Sequence, residues 1–331
     1  MRDVAERAGV STTTVSHVIN NTRFVHEDSR QRVQEAMEEL GYQPNALARG
    51  LRRSQTCTIA VIVPDSADPF FTEVIRGIED VSFEQEYTMI LCNSDGDLEK
   101  ERRYTDLLTE KRVDGILFFA SSSQSQAHVR VLQKRGFPLV IVDRQVPDIE
   151  ADTVIIDNQA GGQMAAQHLL ALGHRRIACI SGPSNLLLSE ERLNGYRLAL
   201  AEYNSPVEES WIKIVPEYNY QVGFDAAQEL LSLAQPPTAI FAFNDILAVG
   251  VINAATKMGI QVPAQLSVIG FDDLRLAPYV NPALTTIAQP KYEMGVVATT
   301  MLLERITDQE LAPRMQLLDL ELLVRESTAY V

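Results

Sequence analysis

The stretch TIAVIVPDSADPFFTEVIRGIED, residues 58–80, runs from an uninterrupted apolar segment through a polar loop into a segment with helical spacing. An apolar run this continuous is typical of a strand covered on both faces, as strands of parallel sheets are. The stretch RIACISGPSNLLLSEERLNGYRLALAE, residues 176–202, repeats the same order of strand, loop and helix. The duplication predicts a parallel α/β fold built from two similar halves.

Further apolar runs continue this rhythm along the chain, and helical stretches such as GGQMAAQHLLALG separate most of them. The runs are YTMILCN, GILFFA, PLVIVD, TVIID, AIFAFN and LSVIGFD. We therefore expect a core over 57–331 with two doubly wound parallel-sheet lobes that share a cleft at their strand carboxyl ends. The first lobe is expected at about 57–158 and 287–317, and the second at about 159–286 and 318–331.

Residues 1–56 read instead as short helices, which predicts an all-α head over 1–44. In VSTTTVSHVINN, Ser11 is a good N-cap for a helix from about Thr12 to Asn20. A step of 100° per residue separates a polar face from an apolar one. The polar face holds Thr13, Ser16, His17 and Asn20, and the apolar face holds Val15, Val18 and Ile19.

This polar face suits contacts with phosphates and base edges, because it offers hydroxyls, an imidazole and an amide. The same pattern also fits one helix of an ordinary three-helix bundle. The small residues of the preceding AERAGVS, with Gly9 at the corner, favour a DNA-binding helix-turn-helix. In the third stretch, EDSRQRVQEAMEELGY, Asp28 or Ser29 is expected to cap the helix and Gly41 to end it.

Charge is divided unevenly along the chain, whose formal net charge is −15. Residues 1–56 carry 8 Arg against 7 acidic residues, a balance of +1, which leaves −16 for the remainder. An acidic body is expected to face away from DNA because phosphates repel it.

The sequence lacks the signature motifs of several classes of protein. The first strand is not followed by GxGxxG, and no Walker loop or G-x-S-x-G elbow occurs, so we expect no enzyme and no cofactor. Cys57, Cys92 and Cys179 are widely spaced and are expected to be reduced, and five scattered His residues suggest no metal site. With no export signal and no apolar run long enough for a bilayer, we expect a cytoplasmic protein without a membrane partner.

Polar residues collect where the predicted strands end, which is where the cleft of such a fold lies. They are Asp68, Asp143, Arg144, Asn244, Asp272 and Gln289, with Arg192 from a helix start and Phe70, Phe71 and Tyr218 as flat apolar surfaces. Sugars need this mixture of hydrogen-bonding groups and aromatic faces. Taken singly, Asp143 and Arg144 could be a local ion pair, Asp272 a turn residue, and the two Phe residues simply core.

The segments RDVAERAGVSTTTVSHVINN, RFV and GYQPNALARGL closely resemble the lactose-repressor/galactose-repressor family, and within it most nearly the purine and ribose repressor branch. The resemblance covers nearly the whole chain. It implies a homodimer on a near-palindromic operator, with Thr12, Thr13 and His17 reaching base edges in the major groove.

The segment Asn45–Leu51 resembles the hinge helix of this family, within a hinge and linker over 45–56. At about two turns it is too short to be stable alone in water, so we expect it to fold on DNA. The resemblance puts Leu51 where a side chain wedges between base pairs of the minor groove, although Leu51 could instead pack under the core. Arg49, Arg52 and Arg53 are then expected to contact phosphates.

The cleft residues resemble the ligand shell of ribose-binding periplasmic proteins, whose fold the sensor domains of the family share. Asp68 and Tyr218 depart from the usual Asn and Phe, which adds hydrogen-bonding groups, so the preferred sugar need not be ribose itself. Some relatives in the purine branch carry Trp where this chain has Arg144. The resemblance therefore implies a sugar effector, ribose or a related pentose, more than a purine.

We accordingly expect a transcriptional repressor that the sugar releases from its operator. A purine-type co-repressed regulator and a global carbon regulator of the same family stay open. A sugar-binding transport protein would explain residues 57–331 but would leave the head without a use.

Overall fold

The structure is a computed structural model that describes residues 1–20, 23–42, 55–146 and 148–331. It contains two compact units, Met1–Cys57 and Thr58–Val331. Each unit has its own hydrophobic core.

The head unit is all-α, as predicted, with α1 (Arg2–Ala8), α2 (Thr12–Asn20) and α3 (Glu27–Glu39). Its core consists of small apolar side chains, namely Val4, Ala5, Ala8, Val15, Val18, Val33 and Ala36. Helix α1 ends at Gly9, whose φ of 65° is left-handed and turns the chain into α2.

The predicted cap of the third helix is wrong. Helix α3 begins one residue before Asp28, and its N-cap is His26, which makes no capping hydrogen bond through its side chain. Asp28 and Ser29 lie within the first turn, where the negative charge of Asp28 interacts favourably with the positive end of the helix dipole. Gly41, with φ of 57°, follows the end of α3 as expected.

The second unit, Thr58–Val331, alternates strands and helices. Its strands are β1 (Thr58–Val63), β2 (Thr88–Asn93), β3 (Gly115–Phe118), β4 (Leu139–Val142), β5 (Asp152–Ile156), β6 (Ile177–Ser181), β7 (Ile212–Ile214), β8 (Ala239–Ala242), β9 (Ser267–Asp272), β10 (Thr285–Ala288), β11 (Met315–Leu318) and β12 (Glu321–Leu323). Its helices are α4 (Pro69–Glu84), α5 (Leu98–Glu110), α6 (Gln126–Lys134), α7 (Asn158–Ala171), α8 (Leu187–Glu202), α9 (Tyr220–Leu231), α10 (Asp245–Lys257) and α11 (Lys291–Thr307).

These strands form two six-stranded sheets, ordered β11-β5-β4-β3-β1-β2 and β12-β10-β9-β8-β6-β7. The first sheet is parallel throughout, and in the second only β12 runs antiparallel, against β10. The continuous apolar runs are buried on both faces, since every residue of β3, β4, β6 and β8 is buried. The two doubly wound lobes predicted from the duplication are therefore confirmed.

The chain passes between the two sheets three times, after β5, after β10 and after β11. Helix α7 consequently packs on α8 beside the second sheet, whereas α11 packs on α4 beside the first. The segment from β10 to α11 thus links the cleft side of the second lobe to a helix of the first.

Helices α7 and α8 cross with their backbones in direct contact, and glycines make this possible. A Cβ at Gly162 would lie 2.2 Å from the carbonyl oxygen of Arg192, and a Cβ at Gly195 would lie 2.0 Å from that of Gln159. Because real Cβ atoms do not approach backbone this closely, both positions require glycine. The crossing fixes the part of α8 that carries Arg192.

None of the helices within the described ranges has the length and apolarity of a membrane span. The thiols of Cys57, Cys92 and Cys179 are free.

Candidate effector cavity and DNA-contacting helix

A cavity with an empty volume of about 340 Å³ lies in the second unit, Thr58–Val331, at the carboxyl ends of the strands. Its lining contains all ten residues that the sequence suggested for the effector, and one more, Leu188. The lining consists of Asp68, Phe70, Phe71, Asp143, Arg144, Leu188, Arg192, Tyr218, Asn244, Asp272 and Gln289.

The two lobes contribute different parts of this lining. From the first lobe, Asp68, Phe70 and Phe71 stand at the start of α4, while Asp143 and Arg144 directly follow β4. The second lobe supplies the remainder: Leu188 and Arg192 on α8, Tyr218 before α9, Asn244 before α10, and Asp272 at the end of β9. Gln289 follows β10, in the segment that crosses between the lobes.

Two of these polar side chains are also helix caps, which fixes their orientation. The Asp68 carboxylate accepts a hydrogen bond from the Phe70 amide at 2.8 Å, and the Asn244 side-chain oxygen accepts one from the Leu247 amide at 2.9 Å. A cap places its side chain at the positive end of a helix. The start of α4 and the start of α10 are therefore held at the cavity.

Arg192 is the most constrained charged group of the cavity and is only 3% exposed. Its Nε donates to the Asn158 side-chain oxygen at 2.9 Å, and one terminal nitrogen donates to the Phe243 carbonyl. Its guanidinium carbon lies 3.6 Å from the centroid of the Phe271 ring, and a terminal nitrogen lies 3.9 Å from Asp272 Oδ1. Contacts on several sides leave this side chain little freedom.

Two further polar pairs line the cavity. Gln289 donates to Asp272 Oδ1 at 2.7 Å. Arg144 Nε lies 3.4 Å from Asp143 Oδ2, and a terminal nitrogen of Arg144 donates to the Ala120 carbonyl at 2.8 Å. The local ion pair between Asp143 and Arg144 therefore exists, and both of its members also face the cavity.

One donor and one acceptor of the cavity make no hydrogen bond within the described residues, although the donor, Arg144 Nε, takes part in the ion pair with Asp143. Arg144 Nε and Gln289 Oε1 are buried, and the described residues provide no hydrogen bond to either atom. Because buried polar groups in folded proteins are almost always hydrogen-bonded, both atoms are suited to a hydrogen bond from a ligand or water. A hydroxyl group can serve both, since it donates and accepts.

The carboxyl groups of the cavity are strongly desolvated. Burial raises the pKa of Asp68 and Asp143, and raises that of Asp272 well above its usual range. The positive charges of Arg144 and Arg192 act in the opposite direction. Desolvated carboxyls gain most from a ligand that brings hydrogen-bond donors.

The aromatic residues serve both the core and the cavity. Phe70 and Phe71 are buried and pack edge to face, with ring centroids 5.2 Å apart. Phe71 packs in the same manner on Phe119 at 5.4 Å. Tyr218 lines the cavity with its hydroxyl 3.1 Å from Ser189 Oγ. The interpretation of the Phe pair as core and its interpretation as a binding surface are thus compatible.

The sequence analysis did not identify Leu188 and Asn158. Leu188 lies four residues before Arg192, one helical turn away on the same face, so the spacing alone could have identified it. Asn158 contacts Arg192 from another helix, and no sequence pattern indicates that contact.

In the head, α2 presents the two faces predicted for it. Ser11 Oγ accepts a hydrogen bond from the Thr14 amide at 3.0 Å, which confirms the predicted N-cap. Val15 and Val18 are buried, whereas Thr12 and Thr13 are exposed. Ser16 and His17 are partly exposed, and Asn20 is the last residue of the helix. Arg49, Leu51, Arg52 and Arg53, with the hinge Asn45–Leu51, lie outside the described residues.

Sequence comparison finds two family profiles that together cover nearly the whole chain. The profile described as bacterial regulatory proteins, lacI family, matches residues 1–45. The profile described as periplasmic binding proteins and sugar binding domain of LacI family matches residues 56–325.

Similar proteins cover the chain from end to end. The HTH-type transcriptional repressor PurR of Photobacterium profundum is 41% identical over 327 residues, which span 99% of this chain and 98% of the relative. The repressor of the same name from Vibrio campbellii is 42% identical over the same shares of both chains.

Three solved structures share the fold. A LacI family regulator from Enterococcus faecium with bound ribose is 34% identical, with a TM-score of 0.74 over 83% of this chain and 99% of that one. The CelR–cellobiose complex is 32% identical, with a TM-score of 0.76 over 98% of both chains. The Lac repressor dimer bound to operator and the anti-inducer ONPF is 27% identical, with a TM-score of 0.90 over 99% and 98%.

Proposed function

The chain belongs to the LacI family of bacterial regulatory proteins, and we propose that it is a repressor that a pentose of the ribose class releases from its operator. The observation that carries this proposal is the cavity lining, in which hydrogen-bonding groups alternate with aromatic surfaces. Repression itself is supported by relatives named as repressors at 41% and 42% identity.

A small polyhydroxylated ring fits the chemistry of the cavity. The carboxyl groups of Asp68, Asp143 and Asp272 accept hydrogen bonds from hydroxyls, while Arg144 and Arg192 donate to ring and hydroxyl oxygens. Phe70 and Phe71 cover the CH faces of the ring. The empty volume of about 340 Å³ includes space open to solvent, so the cavity is small, which favours a ligand no larger than a monosaccharide.

A purine co-repressor is the second candidate, because the relatives cited above are named PurR. Arg144 weakens this candidate, since this charged side chain stands where some relatives in the purine branch carry Trp. A solved LacI family regulator with bound ribose, at 34% identity, supports the sugar.

Effector binding can act on DNA binding because both lobes contribute to the cavity. A ligand shifts an equilibrium only when it binds one arrangement of the lobes better than another. Asp143 belongs to one lobe and Arg192 to the other, so their simultaneous contact with one sugar depends on how the lobes are arranged. We propose that the arrangement with sugar is the one that releases DNA.

On DNA, we propose a dimer on a near-palindromic site, and the similar Lac repressor structure, a dimer bound to operator, supports the dimer. Thr12, Thr13, Ser16, His17 and Asn20 are the proposed groove contacts of α2. Arg49 and Arg52 are the proposed phosphate contacts, and Leu51 is the proposed minor-groove wedge.

Calorimetry on the full chain tests the effector. D-ribose, D-xylose, L-arabinose, cellobiose and hypoxanthine are titrated one at a time and then in competition. We expect D-ribose or another pentose to bind most tightly. Tighter binding of hypoxanthine than of every sugar would establish the purine candidate instead.

Binding to sequences selected from a random DNA pool tests the head. His17→Ala is expected to relax base preference at particular positions of the site. Arg52→Ala is expected to weaken binding to all sequences alike and to reduce its salt dependence. An equal loss on every sequence from His17→Ala would refute base readout by His17.

A further inference from the structure

A buried lysine stands directly behind the effector cavity. Lys291 is the first residue of α11 and only 5% exposed. Its ammonium donates hydrogen bonds to the backbone carbonyls of Asp272 and Asp273, the latter at 2.8 Å. A buried ammonium is costly unless it is hydrogen-bonded, so this placement indicates a specific role.

The two carbonyls belong to a turn with unusual backbone angles. Asp272 has φ of 107° and Asp273 has φ of 52°, both in the region that non-glycine residues rarely adopt. Such a conformation persists only where the surroundings enforce it. The turn ends β9 and places the Asp272 carboxyl in the cavity, 3.9 Å from Arg192.

Side chains from several elements hold this turn. Arg325 contacts Asp273 Oδ1 at 2.6 Å, and Gln289 donates to Asp272 at 2.7 Å. The amide of Leu274, the next residue, donates to the buried carboxyl of Asp245 at 2.7 Å. Lys291 differs from these groups because it contacts the backbone of both turn residues.

Lys291 also joins the turn to the other lobe. It begins α11, which packs on α4 and on strands β3, β4 and β5 of the first lobe. The turn that it contacts is part of β9 and the loop after it, in the second lobe. The ammonium thus connects a cavity residue of one lobe to a helix of the other.

We propose that Lys291 is a positioning residue, which holds the Asp272–Asp273 turn in its left-handed conformation and thereby sets the affinity for the effector. Lys291 is not one of the described residues that line the cavity, so its proposed effect on the effector passes through Asp272. The identity of the effector rests on the proposed function, whereas the role in the turn rests on the contacts alone.

Amide hydrogen exchange of the full chain without ligand tests the turn. Lys291→Met keeps the length of the side chain and removes its charge and its donors. We expect the amides of residues 272–275 to exchange at least about tenfold faster in this variant, since the turn loses two hydrogen bonds. The matched control is Lys257→Met at the exposed end of α10, which should leave these amides unchanged.

Calorimetry with D-ribose tests the consequence for binding. Lys291→Met is expected to bind ribose at least about tenfold more weakly, and Lys291→Arg, which keeps charge and donors, to recover most of the affinity. Affinity for operator without sugar should stay within about twofold. A role in general stability alone would not produce recovery by Arg with unchanged operator binding.

The outcomes separate the two proposals. Unchanged exchange at 272–275 in Lys291→Met would overturn the role of Lys291, whatever ligand the protein binds. Failure of the parent chain to bind any pentose would overturn the proposed function, while the exchange result still decides on Lys291. If Lys291→Met has no cooperative unfolding transition, Lys291→Gln, which keeps a donor for one carbonyl, replaces it in both measurements.

Discussion

The guanidinium carbon of Arg192 lies 3.6 Å from the centroid of the Phe271 ring, within the range of a strong cation–π contact. Phe271 and Asp272 are consecutive residues of β9, so one strand supplies both a ring and a carboxyl to the same arginine. Asn158 holds the Nε side of the group. The cavity therefore contains a cation whose position is set before any ligand arrives, which reduces the ordering cost of binding.

Replacement of Arg192 by lysine should separate effector binding from DNA binding. Arg192→Lys keeps the positive charge but cannot maintain the stacked, multiply hydrogen-bonded geometry. We expect a loss of about 1–3 kcal/mol in pentose binding free energy, with operator binding retained. Calorimetry and mobility shifts measure the two effects. The control is Arg197→Lys on the same helix, where Arg197 contacts Glu209 on the surface. Equal pentose affinity in both variants would contradict the role given to Arg192.

The crossing of α7 and α8 should not tolerate a side chain at Gly162. In Gly162→Ala the new Cβ would meet the Arg192 carbonyl at 2.2 Å, so α8 must move. We expect a stability loss of about 1–3 kcal/mol from overpacking and weaker pentose binding, measured by denaturant unfolding and calorimetry. The control is Gln167→Ala on α7, which removes only the exposed hydrogen bond from Gln167 to Glu202 at the end of α8. Wild-type stability of Gly162→Ala would show that the helices are less closely packed than described.

Stability should depend on pH through two histidines, His174, which is buried, and His168, which is partly buried. Burial lowers the pKa of His168 and of His174 below the ordinary value. The unfolded chain then binds protons more readily than the folded one, so this contribution to stability is lost as the pH falls through about 6.5 and below.

Buried carboxyls change the stability in the opposite direction as the pH falls. One of them is Asp245, whose pKa is raised by burial to about 7. Their contribution is present at low pH and is lost as the pH rises through their folded-state pKa values. The histidine effect must therefore be read from a difference between variants. We expect His168→Gln to lose less stability than the parent between pH 7.5 and 5.5, measured by urea unfolding. Parallel pH profiles would refute a proton-linked role for His168.

A substitution in the hinge should change DNA binding and leave sugar binding unchanged. Leu51→Ala is expected to reduce DNA bending and operator affinity while it leaves pentose affinity intact, because Leu51 is proposed to act only in the minor groove. Mobility-shift and calorimetric titrations measure the two properties. A loss of pentose affinity in Leu51→Ala would favour the alternative that this side chain packs under the core.

Much of the cavity lining could be predicted from the sequence because parallel strands end at the same edge of a sheet. Asp143, Asn244, Asp272 and Gln289 end or follow strands by at most two residues, and the fold brings them together. Residues that act through tertiary contact could not be predicted. Asn158 supports Arg192 from a neighbouring helix, and Lys291 contacts a turn about twenty residues earlier in the chain.

The start of a helix could be predicted from the sequence where a single capping hydrogen bond determines it. Helix α2 runs from Thr12 to Asn20 as expected, because the hydroxyl of Ser11 caps it. The start of α3 could not be predicted, because His26 precedes that helix without a capping hydrogen bond and no side chain indicates the boundary. The left-handed turn at Asp272 was equally hidden, since no glycine marks it.

A mobility-shift titration of the full chain on its selected operator, with increasing D-ribose, tests the central claim most directly. The account predicts that ribose releases the protein from DNA, and that Arg192→Lys binds the same DNA but requires far more sugar for release. Tighter DNA binding on addition of ribose, or release by hypoxanthine but by no pentose, would contradict it.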